Sequence, residues 1–233
     1  PYTTLFRSNR ELYDEETNQV LDNFNECIEK CKDLGMEVSE ESIDINILEA
    51  IYPTYLSISN AESTSNNANL TGIHFGVYGL GNDVQSMIKD ARTKGFSKEI
   101  KERFIIGSYI LQRENQEKLY LNACKARRII TNKMNELFKK YDAMILPTTK
   151  GIAPKIGEEQ KEVSEKHRLL DRHLIIANLG GYPSITIPSG FIDSMPIGLS
   201  ITSDVKKDDL VLNIAYKLTK QMDYSNTYPE EVE

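Results

Sequence analysis

The sequence contains no apolar run that could cross a bilayer. Its longest, such as Phe104-Ile105-Ile106 and Ala143-Met144-Ile145-Leu146, fall far short of the roughly 20 residues a spanning helix needs. No basic start, apolar stretch and small-residue cleavage site opens the chain, so no secretory leader is read and the cytoplasm is the expected compartment. Nor is there an initiator methionine: the first residues are PYTTLFRS. Positive charge is in deficit, with 28 Lys and Arg against 35 Asp and Glu and a net charge of −7. That weighs against a broad face gripping a phosphate backbone. Cysteine is scarce, at three residues. Cys27 and Cys31 lie four apart in a helical pattern and Cys124 stands alone, with no further Cys or His near enough to complete a metal site. An odd, sparse set suits a reducing compartment, and all three are read as small apolar packing groups. Gly72, Gly76, Gly79 and Gly81 punctuate one segment, but no Gly-Lys-Ser/Thr follows, so no phosphate loop is expected. No internal repeat or low-complexity tract appears.

What remains is an ordinary globular composition. The 233 residues, 39% apolar and 27% charged, suit one large domain or two small ones with a substantial core. Val20, Leu21, Phe24, Cys27, Ile28, Cys31 and Leu34 recur at three and four, which predicts an amphipathic helix over 14–34. Gly35 offers its left-handed cap, and Met36-Glu37-Val38 follows as a short strand. A second helix is predicted over 46–59, with Pro53 near a break or kink. Asn60 to Asn67, polar and rich in small residues, reads as an exposed loop or helix end. A short helix spans 82–93. Ser97 is read as an N-cap with Glu99 in the first turn, opening two helices with a bend that run to Tyr141. Asp142 to Leu146 is an apolar strand covered on both faces, stopped by Pro147. A loop over 148–163 leads to a helix over 165–178. Strands 184–187, ended by Pro188, and 195–201 form a pair, and a helix over 208–221 closes the fold. Helix, glycine and strand in succession indicate an α/β class.

Three stretches carry more specific information: KYDAMILPTTKGIAP (140–154), DRHLIIANLGGYPSITIPSG (171–190) and MPIGLSI (195–201). They resemble the C-terminal half of the amidase signature family. There, a strand ending Asp-x-x-x-x-Pro-Thr precedes a helix, then Asn-Leu-x-Gly-x-Pro-x-x-x-x-Pro, then a strand reading Pro-x-Gly-Leu-x-x. Here these fall on Asp142 to Thr148, Asn178 to Pro188 and Pro196 to Ile201. A fourth block, GFSKEIKERFIIGSYIL (95–111), is similar to a segment of one branch, the glutamine-hydrolysing subunits of tRNA-dependent amidotransferases. The resemblance runs from about residue 11 to 221. It implies the C-terminal part of an α/β/α sandwich with a mixed, mainly parallel central sheet. Residues 9–233 would then be part of one amidase domain, with a helical excursion at about 82–141 and a tail at about 222–233.

The family cleaves amides with a Ser–Ser–Lys triad and an oxyanion-stabilising Gly/Ser-rich loop, both in its N-terminal half. Nothing in this sequence matches them, so no catalytic residue is assigned. Ser63-Thr64-Ser65 lacks the neighbouring glycines and is read as a Ser-rich helix segment. His74, His167 and His173 have no motif around them. Glutamine held as a free amino acid calls for a guanidinium on its α-carboxylate and a carboxylate on its α-ammonium. The resemblance places these on Arg103 and Asp171, and a pocket-lining hydroxyl on Tyr55. It further implies a parent that supplies ammonia for converting Glu-tRNA(Gln) or Asp-tRNA(Asn) to the amidated form. Its B subunit would use ATP and Mg and handle most of the tRNA, and a small C subunit would wrap the interface. No cofactor or metal is assigned to this chain. Asn66 to Gly72, His74-Phe75 and Ser97 depart from the branch's pattern and mark a divergent member.

Two other readings stay open: part of a stand-alone amidase, and a non-catalytic binding or scaffold protein. The octapeptide PYTTLFRS reads as a translated sequencing-adaptor oligonucleotide, so residues 1–8 are expected to be non-native. The chain would then be a fragment, inactive by itself.

Overall fold

The structure, a computed structural model, describes residues 2–3, 15–155, 172–224 and 227. Its helices are α1 (Glu15–Asp33), α2 (Ile45–Asn66), α3 (Val84–Gly95), α4 (Lys98–Ile110), α5 (Arg113–Gln116), α6 (Asn122–Phe138), α7 (Ile175–Gly180) and α8 (Asp208–Met222). The strands are β1 (Tyr2–Thr3), β2 (Ala143–Pro147), β3 (Ser184–Ile192) and β4 (Met195–Ser203). Two compact units emerge: residues 1–52 with 129–233, and residues 53–128.

The first unit is built on a four-stranded sheet in the order β1-β2-β4-β3. The class is α/β and the sheet is mixed, as anticipated. Within these four strands, β1 joins β2 in parallel, while β2–β4 and β3–β4 are antiparallel. Side chains alternate across a strand, and here the two faces differ in chemistry. Ile145, Ile187, Leu199 and Ile201 pack with Phe24, Cys27 and Cys31 of α1 and Val211, Ile214 and Leu218 of α8. The opposite face carries hydroxyls, with Ser184 bonded to Thr202 at 2.8 Å and Thr186 to Ser200 at 3.1 Å.

Helix α1 forms where the three-and-four spacing predicts. Glu15 and Glu16 lie in its first turn and Lys30 and Lys32 in its last, each favourable to the helix dipole. It ends in a Schellman motif: Gly35 at φ +77° donates to Lys32 O, and Met36 donates to Cys31 O. That turn lays Met36 on the core. Residues 36–38 are therefore not the expected strand; Val38 alone makes a bridge.

Strand β3 does not stop at Pro188 but runs to Ile192. Proline lacks a ladder donor, and strands accept it at edges and bulges. Here β3 is an edge of the described sheet, and the register shifts between Pro188 and Gly190. The Ser189 carbonyl freed by this bulge accepts a hydrogen bond from Asn23 Nδ2 at 2.9 Å. β3 and β4 are joined through Asp193 and Ser194, both at positive φ (49° and 66°).

In the second unit, α2 passes through Pro53 and continues to Asn66. Of the two readings of the polar stretch from Asn60, exposed loop or helix end, the structure takes the second. Thr64 donates to Asn60 O at 2.8 Å and Asn67 Nδ2 to Ser63 O at 2.8 Å, so these side chains bond back to their own helix. α4 packs on α2 at Gly107, where an added Cβ would lie 2.1 Å from Asn60 O and Thr64 Oγ1. α3 opens with a capping box between Asp83 and Ser86, which holds the Asp83 carboxyl below its usual range. Arg92 stacks on Phe96 and Phe104 and donates to Asn67 O and Leu70 O. The anticipated bend falls after α4, where Gln112 is extended (ψ 141°) before α5 begins.

Candidate functional site

Two of the three glutamine-binding candidates lie in the unit 53–128. Tyr55 is half-buried on α2, near the start of that helix's portion in this unit, and Arg103 is exposed on α4. The two helices run antiparallel: Thr64 Oγ1 approaches Phe104 O at 3.5 Å, while Gly107 abuts Asn60. That register sets Arg103 level with Thr64. Tyr55 lies nine residues back on α2, about 13 Å along the axis at the helical rise. The structure records no direct bond between them. Among the described residues Arg103 makes no ion pair or hydrogen bond, leaving its five-donor fork open to solvent. Asp171 lies outside the described residues, as do His167 and the part of the helix expected over 165–178 that precedes residue 172.

Ser63, Thr64 and Ser65 have no catalytic partner among the described residues. Thr64 spends its proton on Asn60 O, Ser63 Oγ accepts from Asn67, and no Lys or His is bonded to any of the three among the described residues. His74 is exposed. His173 is buried and donates through Nε2 to Pro147 O at 2.9 Å, which fastens the turn at Arg172–Leu174 to the end of β2. Cys27 and Cys31 are fully buried. Burial pushes their thiols up, to about 11 and about 12, so they serve as packing groups. No group of three or more His, Cys, Asp or Glu that could hold a metal occurs among the described residues, and no described helix is long and apolar enough to cross a membrane.

Two features are not evident from local sequence. Tyr120 donates to Glu62 Oε1 at 3.1 Å across 58 positions. Desolvation, with Glu62 adding to it, raises its phenol to about 12. The other feature is a cavity of about 770 Å³ at the carboxyl end of β2, lined by 148–155, by Pro196 to Gly198, by Thr186 and by the start of α1. In it, Thr148 Oγ1 bonds Ser200 Oγ at 2.8 Å, and Glu16 accepts from Ile152 N–H. The alternating hydroxyls at 184, 186, 200 and 202 are the signal that could have marked this polar face.

The chain spans less than half the length of the relatives it matches. It is 33% identical over 209 residues to the A subunit of the glutamyl-tRNA(Gln) amidotransferase of Pelagibacter ubique (strain HTCC1062), covering 89% of this chain and 42% of that protein. The corresponding protein of Clostridium botulinum (strain Kyoto / Type A2) is 32% identical over 207 residues, with 88% and 42% covered. Among solved structures, the glutamyl-tRNA(Gln) amidotransferase A subunit from Thermotoga maritima superposes with a TM-score of 0.66 at 27% identity, over 98% of this chain and 44% of that one. A 6-aminohexanoate cyclic dimer hydrolase superposes at 0.70 with 16% identity, over 98% and 46%, a likeness of fold alone. The family model described as Amidase matches residues 7–212, and with that span the chain belongs to the amidase family.

Proposed function

We propose that this chain is the substrate-binding part of a glutamine-hydrolysing subunit of a tRNA-dependent amidotransferase. The observation that carries the reading is Arg103: exposed, unpaired among the described residues, and set in the block that resembles this branch. Relatives named for that role, at 31–34% identity, support it.

In this reading, Arg103 grips the α-carboxylate of glutamine through two parallel N–H···O bonds. Asp171 pairs with the α-ammonium, and the Tyr55 hydroxyl lines the pocket. A Ser–Ser–Lys set from the family's N-terminal half cleaves the side-chain amide, with one serine as nucleophile, the second relaying the proton and the lysine as base. The ammonia passes to a B subunit that uses ATP and Mg to activate Glu-tRNA(Gln) or Asp-tRNA(Asn); a C subunit braces the pair. The acidic balance of this chain suits tRNA being held elsewhere. The complex works in the cytoplasm.

The coding sequence upstream of Asn9 tests the proposal. It should continue in frame into a lysine and a Gly/Ser-rich loop bearing two serines. A start codon at that point contradicts the enzymatic reading and favours a binding role. A stand-alone amidase is the second reading, since the match to the family model over residues 7–212 is to the amidase family as a whole and not to one branch. Uncharged amides have no use for an Arg/Asp pair, so turnover indifferent to both charges would select it.

A further inference from the structure

Neither Arg103 nor Tyr55 lines the cavity at the end of β2, and its chemistry is uneven. The chain carries a net charge of −7, yet this lining holds two lysines, Lys150 and Lys155, against one carboxylate, Glu16. Glu16 is already engaged: it accepts from Ile152 N–H, and it lies where a side chain at Gly151 would otherwise stand. Lys150 is half-buried and makes no ion pair or hydrogen bond among the described residues.

The hydroxyls at the wall of the same cavity have a donor to spare. Thr148, Ser200 and Thr186 form a chain of two contacts, 2.8 and 3.1 Å. Each hydroxyl supplies one proton, so two bonds consume two of three. The remaining O–H sits on one of the three, and two of them, Thr148 and Thr186, line the cavity. Neither has another side-chain partner among the described residues. Gly198 lets these ends converge: a Cβ there would stand 3.0 Å from both Thr148 Oγ1 and Thr186 Cγ2. Thr149, by contrast, spends its proton on Gly151 O. An ammonium and a hydroxyl donor in one lining are a receptor for a carboxylate. The rest of the wall includes Ile152, Pro196 and Ile197, which suit an aliphatic body. A cavity of about 770 Å³ is in the range of small-molecule sites, while the chain's negative field disfavours a polyanion.

We propose that the cavity at the carboxyl end of β2 binds a small aliphatic carboxylate, with Lys150 as counter-charge and the Thr148–Ser200–Thr186 hydroxyl chain as donor. Titration of the ¹⁵N-labelled 233-residue chain with sodium butyrate and with neutral butyramide tests this. Butyrate should give saturable shifts at Thr148, Gly151 and Gly198. Butyramide and inorganic phosphate should each bind at least about fivefold more weakly. Lys150→Gln should weaken butyrate about fivefold, the scale of a partly exposed charge pair. Lys150→Arg should keep it within about twofold, which separates charge from any loss of fold. Absence of saturable shifts, shifts confined to other regions, equal binding of butyramide or phosphate, or an unchanged affinity in Lys150→Gln overturns the proposal. The assay holds no glutamine, tRNA or serine nucleophile, so its outcome is independent of the glutaminase reading.

Discussion

Gly107 shows what a single residue decides. Its missing Cβ is the space in which the Asn60 carbonyl and the Thr64 hydroxyl sit, 2.1 Å from where that atom would be. A backbone carbonyl cannot be rotated aside, so Gly107→Ala should destabilise the unit 53–128 by about 1–3 kcal/mol despite alanine's better helix propensity. Denaturant unfolding reads this directly. The thiols give a second residue-scale test. With Cys27 and Cys31 raised by burial to about 11 and about 12, and Cys124 half-exposed, one of the three should react quickly with an aromatic disulfide in the native protein and all three in denaturant. The sign of the pH effect follows. Each buried thiol holds its proton more tightly when folded, so its contribution is complete below its ordinary value of 9.0 and is lost as pH rises through about 11 to 12. The helical pattern containing Gly107 and the packing role of Cys27 and Cys31 were legible from spacing alone. The reason for the glycine was not, because Asn60 is far away in sequence.

At the scale of elements, legibility depended on whether the deciding partner was local. Helices α1 and α8 follow from periodicity and β2 from an unbroken apolar run. The N-cap at Ser97 follows from one residue and its neighbour: Ser97 Oγ accepts from Ile100 N–H. Pro188 illustrates the opposite case. Proline taken alone predicts a strand end, but only the sheet order reveals that β3 is an edge that can bulge around it. The polar stretch 60–66 reads from sequence as loop or helix end, and its side chains settle on the helix by bonding back to it. The β3–β4 connection is testable by the same logic. Ser194 holds φ +66°, a left-handed conformation that a Cβ disfavours by about 1 kcal/mol. Ser194→Gly should therefore raise stability by up to about 1 kcal/mol, seen as a higher denaturation midpoint with unchanged slope. A loss of stability would mean that the turn is held by contacts of the serine side chain.

For the molecule as a whole, family membership was legible because four blocks recur in order, each carrying a backbone requirement as well as a side chain. The candidate site was only partly legible. Arg103 and Tyr55 are named by their blocks and are found on two packed helices; that they share one pocket belongs to the proposal. The cavity beside β2 was invisible because its hydroxyls meet only when β2, β3 and β4 align. The central claim is that Arg103 reads the α-carboxylate of glutamine, and two nitrogen donors separate it from a structural role. In the enzyme carrying this chain together with its upstream sequence and partner subunits, Arg103→Met should raise the KM for glutamine about 100-fold, the loss of two charge-assisted hydrogen bonds. Amidation of the tRNA from added ammonia should stay within about twofold. Equal losses with both donors, or an unchanged KM for glutamine, would contradict the account.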